Sequence, residues 1–274
     1  MGSLLKVAAI QLRSGAGIEE NLEQAETFIR QAAGEGATLI VTPEVTDQVI
    51  SNRAEKIDQA FTQDRHPGVA FFSALAKELS IDLIIGSMCI KTSDDKIANR
   101  SFHFGPDGEI KALYDKIHLY DVDLPTGESH RESKIFKGGH KAVLTQTQGA
   151  KIGLSICYDL RFPHLYRDLA KQGAQILTIP AAFTVPTGQA HWETLLRARA
   201  IECGAFVIAS AQGGDHEGVR TTYGHSMIIG PWGQVLAHKD DDASGYIIKE
   251  INLDDAVKAR QAIPALQHDK DYGF

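Results

Sequence analysis

Cys157 is the residue whose type and position point most clearly to chemistry. It lies in the segment 151–163, where an apolar strand pattern is followed by Pro163, a residue typical of the first turn of a helix. A thiol at the carboxyl end of a buried strand is expected to face a crevice, and a nearby helix N-terminus would favour its thiolate form. The sequence therefore predicts a nucleophile at Cys157, with a buried and unreactive thiol as the alternative.

A cysteine nucleophile needs a base, and Glu44 is the best candidate. None of the 11 histidines lies in the sequence context of a cysteine protease. Glu44 ends the segment 39–44, whose apolar residues predict a core strand with its end facing a ligand. Burial there would raise the pKa of the carboxyl group toward neutrality, as a general base requires. A cap on the following helix is the alternative role of Glu44.

Lys116 could stabilise the oxyanion that forms when a thiol attacks a carbonyl carbon. Strand alternation predicts that Lys116, His118 and Tyr120 lie on one face of their segment. A buried ammonium beside the reacting centre would act together with the backbone N–H of Tyr158, the residue after the nucleophile. A surface ion pair with Asp115 is the alternative role of this lysine.

These side chains must be positioned by strands and helices that alternate along the chain. Apolar periodicity and turn residues predict strands at 4–12, 37–42, 81–90, 99–104, 109–114, 175–179 and 205–211, helices at 18–32, 69–79, 189–202 and after Pro163, and turns at 105–108, 147–149 and 230–233. Strands joined both by helices and by hairpins imply an α/β fold, with mixed sheets covered by helices on their outer faces. Because no linker or repeat interrupts the sequence, we expect a single domain over residues 1–274.

Composition argues against several classes of protein. A formal net charge of −7 argues against binding to nucleic acids or anionic membranes. Three cysteines without a Cys-x-x-Cys pair favour neither a disulfide framework nor a structural zinc site. The first residues lack the pattern of a signal peptide, and no apolar run reaches the length of a membrane span, so we expect a cytoplasmic protein.

The three candidate residues lie in separate segments that together resemble the signatures of the nitrilase superfamily of carbon–nitrogen hydrolases. The segments are 42–44, 114–119 and 155–163, and the resemblance extends over nearly the whole chain. It implies a four-layer α-β-β-α sandwich and an amidase that needs neither a cofactor nor a metal. It also implies that Cys157 attacks the amide carbon, that Glu44 takes the thiol proton, and that Lys116 stabilises the oxyanion.

The superfamily has a second active-site glutamate upstream of the cysteine, and the resemblance assigns this position to Glu132 rather than to Glu128. Glu132 would orient Lys116 and hold the substrate nitrogen or a water molecule. The Pro-Gly-Asp sequence that often follows is replaced here by Lys-Gly-Gly-His at 137–140, which leaves the geometry of this loop open.

Further segments resemble the Nit-type amidases of the superfamily, namely residues 121–125, 131–133, 188–202 and 223–227. This branch implies a small anionic amide as substrate. Residues 212–216 favour deaminated glutathione, which would be split into 2-oxoglutarate and cysteinylglycine, over 2-oxoglutaramate, the substrate of a related ω-amidase.

Arg161 is the candidate clamp for a substrate carboxylate, because a guanidinium binds a carboxylate through two parallel hydrogen bonds. It lies four residues beyond Cys157, at the opening of the next helix. The alternative, to which the sequence gives equal weight, is that Arg161 forms an ion pair with Asp159 or with a neighbouring helix.

Other functions remain compatible with the same residues. Hydrolysis of a nitrile or an N-carbamoyl compound, or acyl transfer to an amine, would use the same nucleophile, because pocket shape selects the acceptor and the leaving group. A catalytically silent binding module is the alternative from another class, although it would have no physical need for a complete Glu, Lys and Cys set. The resemblance also implies a homodimer or a higher homo-oligomer.

Overall fold

A computed structural model describes residues 4–50, 52–93, 95–124, 127–147 and 149–273. Pro125 of the segment 121–125 and Gln148 of the predicted turn at 147–149 lie outside the described residues. In the described part of the chain, no helix is long and apolar enough to cross a membrane.

The strands, in chain order, are β1 (Leu4–Gln11), β2 (Leu39–Val41), β3 (Asp82–Ser93), β4 (Lys96–Phe104), β5 (Ile110–Asp115), β6 (Asp121–Asp123), β7 (Ser129–Arg131), β8 (Leu144–Thr147), β9 (Ala150–Leu154), β10 (Ile176–Thr178), β11 (Phe206–Ala209), β12 (Gly213–Asp215), β13 (Thr221–Tyr223), β14 (Met227–Ile229), β15 (Val235–His238) and β16 (Gly245–Asn252). The α-helices are α1 (Ile18–Gly34), α2 (Arg53–Asp58), α3 (Pro67–Leu79), α4 (Pro163–Lys171), α5 (Val185–Cys203) and α6 (Asp254–Ala262). Short 3₁₀ helices cover Glu132–Lys134, Cys157–Arg161 and Ala265–Gln267.

Two mixed sheets of six strands each form the centre of the described structure. The first has the order β16-β1-β2-β3-β4-β5, and the second has the order β15-β14-β11-β10-β9-β8. In each sheet three parallel strands lie at the centre, β1-β2-β3 in one and β9-β10-β11 in the other. Antiparallel neighbours extend both sheets, so hairpins and helical crossovers both occur, as predicted.

Both faces of the first sheet are buried, which explains its nearly continuous apolar strands. On β1, Val7 and Ala9 belong to an apolar cluster that also contains residues of the second sheet, such as Ile152 and Leu154. Ala8 and Ile10 alternate with them and pack in a separate cluster with α1 and α3. Side chains of α4 and α5 cover the second sheet. The layers are therefore α-β-β-α, and the predicted fold is confirmed.

One local prediction was wrong near the candidate site. The strand alternation drawn through Lys116, His118 and Tyr120 does not exist, because β5 ends at Asp115 and the chain then leaves the sheet. The helix predicted after Cys157 is confirmed, because α4 begins at Pro163. A short 3₁₀ helix, Cys157–Arg161, precedes it and was not predicted.

Candidate active site

The three candidate catalytic residues line one cavity of about 350 Å³. Glu44 follows β2 and Lys116 follows β5, both in the first sheet, whereas Cys157 follows β9 in the second. Glu132, Tyr158 and Arg161 line the same cavity. The sheets thus bring together side chains that lie far apart in the sequence.

Lys116 joins two carboxylates at the bottom of the cavity. Its Nζ lies 2.8 Å from Oε1 of Glu44, and 3.0 and 2.9 Å from Oε1 and Oε2 of Glu132. Burial lowers the pKa of Lys116, but the charges of Glu132 and Glu44 outweigh it and hold the pKa well above its usual value. The surface ion pair of this lysine with Asp115 is wrong, because Asp115 binds Arg100 instead. Lys116 is therefore a fixed buried ammonium.

The Glu44 carboxylate is buried and accepts several hydrogen bonds. Oε1 accepts from Lys116 and from Nδ2 of Asn99, at 2.8 and 2.9 Å, and the thiol of Cys157 is a further partner. Burial raises the pKa of Glu44, but the charge and hydrogen bond of Lys116, with smaller contributions from Cys157 and Arg220, bring the pKa below its usual value. The predicted rise in pKa is wrong, because the sequence argument considered burial without the ion pair.

Cys157 is buried, and its backbone adopts a left-handed conformation with φ of 49°. Its N–H donates to the carbonyl oxygen of Pro180 at 2.8 Å, and the N–H of Ala182 donates to its sulfur. Burial and the nearby Glu44 carboxylate raise the pKa of the thiol well above its usual value, although Lys116 acts in the opposite direction. The predicted thiolate is wrong, and the resting group is a neutral thiol beside a carboxylate.

Glu132 and Glu128 occupy different places. Glu132 accepts hydrogen bonds from Lys116 and from the backbone N–H of Tyr120, the latter at 2.6 Å. Glu128 lies at the surface, 3.4 Å from Nε2 of His130. Glu132 is therefore the carboxylate that can fix the position of Lys116.

Arg161 faces the cavity without a carboxylate partner among the described residues. Its guanidinium lies 3.3 Å from Nδ1 of His191 and stacks over the rings of Tyr158 and Phe183, 5.9 and 5.5 Å from their centroids. The suggested ion pair with Asp159 is wrong, while α5 supplies a histidine neighbour instead of a carboxylate. The guanidinium of Arg161 can therefore bind a carboxylate group of a ligand.

Asp159 is instead a buried connector between two segments of the site. Its carboxylate accepts from the backbone N–H of Ile156 and from the hydroxyl of Tyr114, at 2.9 and 2.7 Å. It also accepts from the backbone N–H of His118 at 3.0 Å, and Nδ1 of the same residue lies 2.7 Å away. The turn that carries Cys157 is thereby tied to the segment that carries Lys116.

The backbone N–H of Tyr158 is available for an oxyanion. Within the described residues, this N–H has no protein acceptor, whereas the N–H groups of Cys157 and Asp159 are bonded to Pro180 and Ile156. Since it immediately follows the nucleophile, the N–H of Tyr158 can bind a negative charge that forms at the attacked carbon.

Asn99 is a residue of the candidate site that the sequence analysis did not find. Its Nδ2 donates to Oε1 of Glu44 at 2.9 Å and to Oε1 of Glu132 at 3.3 Å, so it bridges the two carboxylates. The backbone oxygen of Asn99 also accepts from the N–H of Lys116. The only signal in the sequence was an Asn-Arg-Ser triplet, which resembles a glycosylation site and carries no information about this role.

The described residues contain no group of three or more His, Cys, Asp or Glu side chains that could hold a metal ion. The site consists of a thiol, two carboxylates, an ammonium and a guanidinium that line one cavity. This set can support nucleophilic attack on a carbonyl carbon followed by proton transfer.

Known proteins similar to this chain were found by sequence and by structure. The profile of the carbon–nitrogen hydrolase family matches residues 6–261. A protein of Synechocystis named deaminated glutathione amidase is 41% identical over 265 residues, which cover 95% of this chain and 96% of that protein.

Two solved structures have the same fold. The NitFhit protein of C. elegans superposes with a TM-score of 0.91 at 35% identity, covering 98% of this chain and 66% of that longer chain. Nit3 of Saccharomyces cerevisiae, described as a member of branch 10 of the nitrilase superfamily, gives a TM-score of 0.82 at 29% identity, covering 95% and 94% of the two chains.

Proposed function

Since the chain belongs to the carbon–nitrogen hydrolase family of the nitrilase superfamily, we propose that this amidase works through a thioester on Cys157, with Glu44 as the general base. The observation that carries the proposal is the direct contact between the thiol and the Glu44 carboxylate, next to the buried ammonium of Lys116. A non-catalytic binding module would have no physical reason to bury these three groups together.

In the first half of the reaction, Glu44 takes the thiol proton while the sulfur attacks the amide carbon. The raised pKa of the thiol and the lowered pKa of Glu44 oppose proton transfer at rest. Transfer therefore accompanies the attack, when negative charge moves to the substrate oxygen. The N–H of Tyr158 and the ammonium of Lys116 stabilise this oxyanion, for which Lys116 gives up one of its bonds to Glu132.

In the second half, the proton on Glu44 passes to the leaving nitrogen, and the amine departs as the carbon–nitrogen bond breaks. Glu44 is then a carboxylate again and takes a proton from a water molecule that attacks the thioester. The carbon–sulfur bond breaks, the acid is released, and the thiol of Cys157 regains its proton. Glu132 keeps Lys116 in position throughout.

We propose deaminated glutathione as the substrate, cleaved to 2-oxoglutarate and cysteinylglycine. A relative at 41% identity carries the name of this activity, and Arg161 offers an unpaired guanidinium for the carboxylate of the 2-oxo acid. The alternative substrates are 2-oxoglutaramate, a nitrile or an N-carbamoyl compound. Acyl transfer to an amine is the alternative reaction, and a catalytically silent binding module of the same fold is the alternative from another class.

A side-by-side assay of deaminated glutathione, 2-oxoglutaramate and an N-carbamoyl amino acid tests this proposal. We expect the highest kcat/KM for deaminated glutathione and no turnover by a folded Cys157→Ala variant, because the nucleophile is lost while little packing volume is removed. Appreciable turnover by Cys157→Ala would contradict the mechanism. Failure of the wild-type protein to hydrolyse any of the three compounds would contradict the proposed substrate.

We further propose that the chain forms homodimers or higher homo-oligomers. Large apolar side chains remain exposed in the described structure, including Trp232 at 60% and Ile201 at 54%. Ile201 lies beside Gly233, the residue after Trp232, so the two exposed side chains are close together, and contiguous apolar patches are typical of association surfaces. Analytical ultracentrifugation would test this proposal, and a monomer at micromolar concentration would contradict it. The cytoplasmic location predicted from the sequence stays a prediction.

A further inference from the structure

Two cations of the cavity transfer no proton in the reaction described above, although the charge of Arg220 contributes to the lowered pKa of Glu44. Lys56 lies on α2, with its Nζ 5.5 Å from the centroid of the Phe136 ring, and Arg220 lies just before β13. In the described ranges neither side chain forms an ion pair. Arg131, which lines the same cavity, is in contrast bound by both carboxylate oxygens of Asp123, at 2.7 and 2.8 Å.

Lys56 and Arg220 belong to the wall of the cavity that carries Glu44. Val45 and Val49, which follow Glu44 in the chain, form an apolar cluster with Phe136, and Val219 packs against this cluster. Lys56 stacks on Phe136, and Arg220 is the residue after Val219. We use the name Glu44 wall for the surface formed by Lys56, Arg220, Phe136 and Val219.

Arg161 stands on a different wall. The ring of Phe183, over which its guanidinium stacks, packs in the cluster that contains Cys157 and the strands of the second sheet. The unpaired cations of the cavity are therefore divided between two walls, with Arg161 on the Cys157 side and the other two on the Glu44 side.

The division of charge indicates what the cavity binds. Glu44 and Glu132 share the single ammonium of Lys116, so the reacting groups together carry one negative charge. Lys56, Arg161 and Arg220 make the cavity positive, although the chain as a whole has a formal net charge of −7. Unpaired cations on two walls favour a ligand with two separated anionic groups.

We propose that Lys56 and Arg220 form a second anion-binding subsite, which holds a carboxylate on the amine part of the substrate. This proposal rests on the proposed function, because Glu44 must reach the leaving nitrogen to protonate it. The amine part then lies along the Glu44 wall, while the acyl part extends toward Arg161. The substrate class is therefore an amide with one carboxylate on each side of the bond that is cleaved.

The test compares two substrates that differ in one group. One is deaminated glutathione, and the other is the same compound with its glycine carboxylate converted to a carboxamide. We expect the wild-type protein to prefer the carboxylate by about tenfold or more in kcat/KM. Lys56→Gln and Arg220→Gln should each remove most of this preference by raising KM for the carboxylate. Because the charge of Arg220 also lowers the pKa of Glu44, Arg220→Gln changes kcat for both substrates alike, and the ratio of their kcat/KM values remains the measure of the subsite.

Lys134→Gln is the matched control, because it removes the same charge from an exposed residue that does not line the cavity. It should keep the wild-type preference. Loss of the preference in this control, equal values for the two substrates in the wild-type protein, or an unchanged preference in both cavity variants would overturn the subsite. Thermal unfolding of each variant checks that the fold is kept.

Failure of the proposed function gives a different result. In that case the wild-type protein hydrolyses neither compound. Calorimetric titration of both compounds into Cys157→Ala protein then measures the subsite without turnover. Tighter binding of the carboxylate, lost on adding Lys56→Gln, would support the subsite, whereas equal or absent binding of the two compounds would overturn it.

Discussion

At the scale of single residues, the site depends on an uncharged side chain that organises charged ones. Asn99 donates from one amide nitrogen to both Glu44 and Glu132, and its Oδ1 is buried without a hydrogen-bond partner in the described structure. Two neighbouring carboxylates repel each other unless donors lie between them. Asn99 and Lys116 together therefore reduce the repulsion between the two glutamates.

Replacing Asn99 by Asp should damage catalysis far more than folding. The substitution keeps the shape of the side chain but puts a third carboxylate beside Glu44 and Glu132, so that one of them must bind a proton or move. We expect kcat to fall by about 100-fold or more, the size expected when a preorganised donor is lost. Steady-state kinetics measures this effect. Asn252→Asp is the control, because within the described structure the side chain of Asn252 accepts one bond, from the N–H of Asp254, and Asp can do the same. Equal activity of the two variants would contradict the role of Asn99.

The convergence of the proposed reactive residues could be predicted from the sequence, but the direction of their pKa shifts could not. Cys157, Glu44 and Lys116 were predicted at strand ends and do meet in one cavity. The pKa directions of Glu44 and Cys157 were wrong, because they depend on an ion pair between residues 72 positions apart and on the burial of both partners. Asn99 was missed for the same reason, because its place in the site depends on two hydrogen bonds to residues far from it in the sequence.

At the scale of elements, the loops that carry the base and the nucleophile are held by a close approach of the two sheets. Gly86 lies on β3 at this point. A Cβ atom there would lie 2.2 Å from the carbonyl oxygen of Thr42 and 2.4 Å from Cβ of Pro180. Thr42 leads into the Glu44 loop, and the carbonyl of Pro180 accepts the N–H of Cys157. A glycine at 86 is therefore required for the spacing of the site.

Gly86→Ala should reduce activity and stability together. The added methyl group would push the Glu44 loop away from the turn at Cys157. We expect kcat to fall by about 100-fold, because small displacements of reacting groups are costly, and the free energy of unfolding to fall by about 1–3 kcal/mol. Kinetics and urea unfolding measure the two effects. Gly34→Ala, at a helix end with no atom within 4 Å of the new Cβ, should change neither; wild-type kinetics in Gly86→Ala would contradict this account.

Elements were predictable where they are long and periodic. The helix expected at 18–32 extends over Ile18–Gly34, and the hairpin turn at 105–108 joins β4 to β5. Prediction failed after Asp115, and it did not include the 3₁₀ helix at Cys157, because tertiary contacts set the backbone at both places. Cys157 and Val45 both have φ near 50°, a conformation that local preferences of these residues would not indicate.

At the scale of the whole molecule, hydrogen bonds between residues far apart in the chain hold buried polar side chains in place. His216, between β12 and β13, is buried and fixed by Ser14 near the start of the chain. Its Nδ1 lies 2.7 Å from the carbonyl oxygen of Ser14, and its Nε2 lies 2.7 Å from Oγ1 of Thr222. We propose that residues 1–274 form a single domain, because His216 joins Ser14 to the body of the structure and an ion pair with Arg167 joins Asp269 to α4.

Stability should therefore depend on pH through His216. Burial lowers the pKa of His216 from 6.5 to about 4, and the charges of Arg220 and Arg13 act in the same direction. Between pH 6.5 and pH 4 the unfolded chain binds a proton at His216 that the folded chain does not. The stabilisation that the neutral, buried His216 gives is therefore fully present above pH 6.5 and is lost as the pH falls toward 4. The loss is about 3 kcal/mol. His216→Gln, which cannot titrate, should lose less stability than the wild-type protein between pH 7 and pH 4 in urea unfolding; equal losses would contradict the assignment.

The most direct test of the central claim is the mass of the protein during turnover. Rapid acid quenching of the reaction with deaminated glutathione, followed by intact-mass analysis and peptide mapping, should detect a 2-oxoglutaryl adduct on Cys157. Its mass should be absent from Cys157→Ala protein. Turnover without any adduct on Cys157, or an adduct on Cys89 or Cys203 instead, would contradict a thioester mechanism at this site.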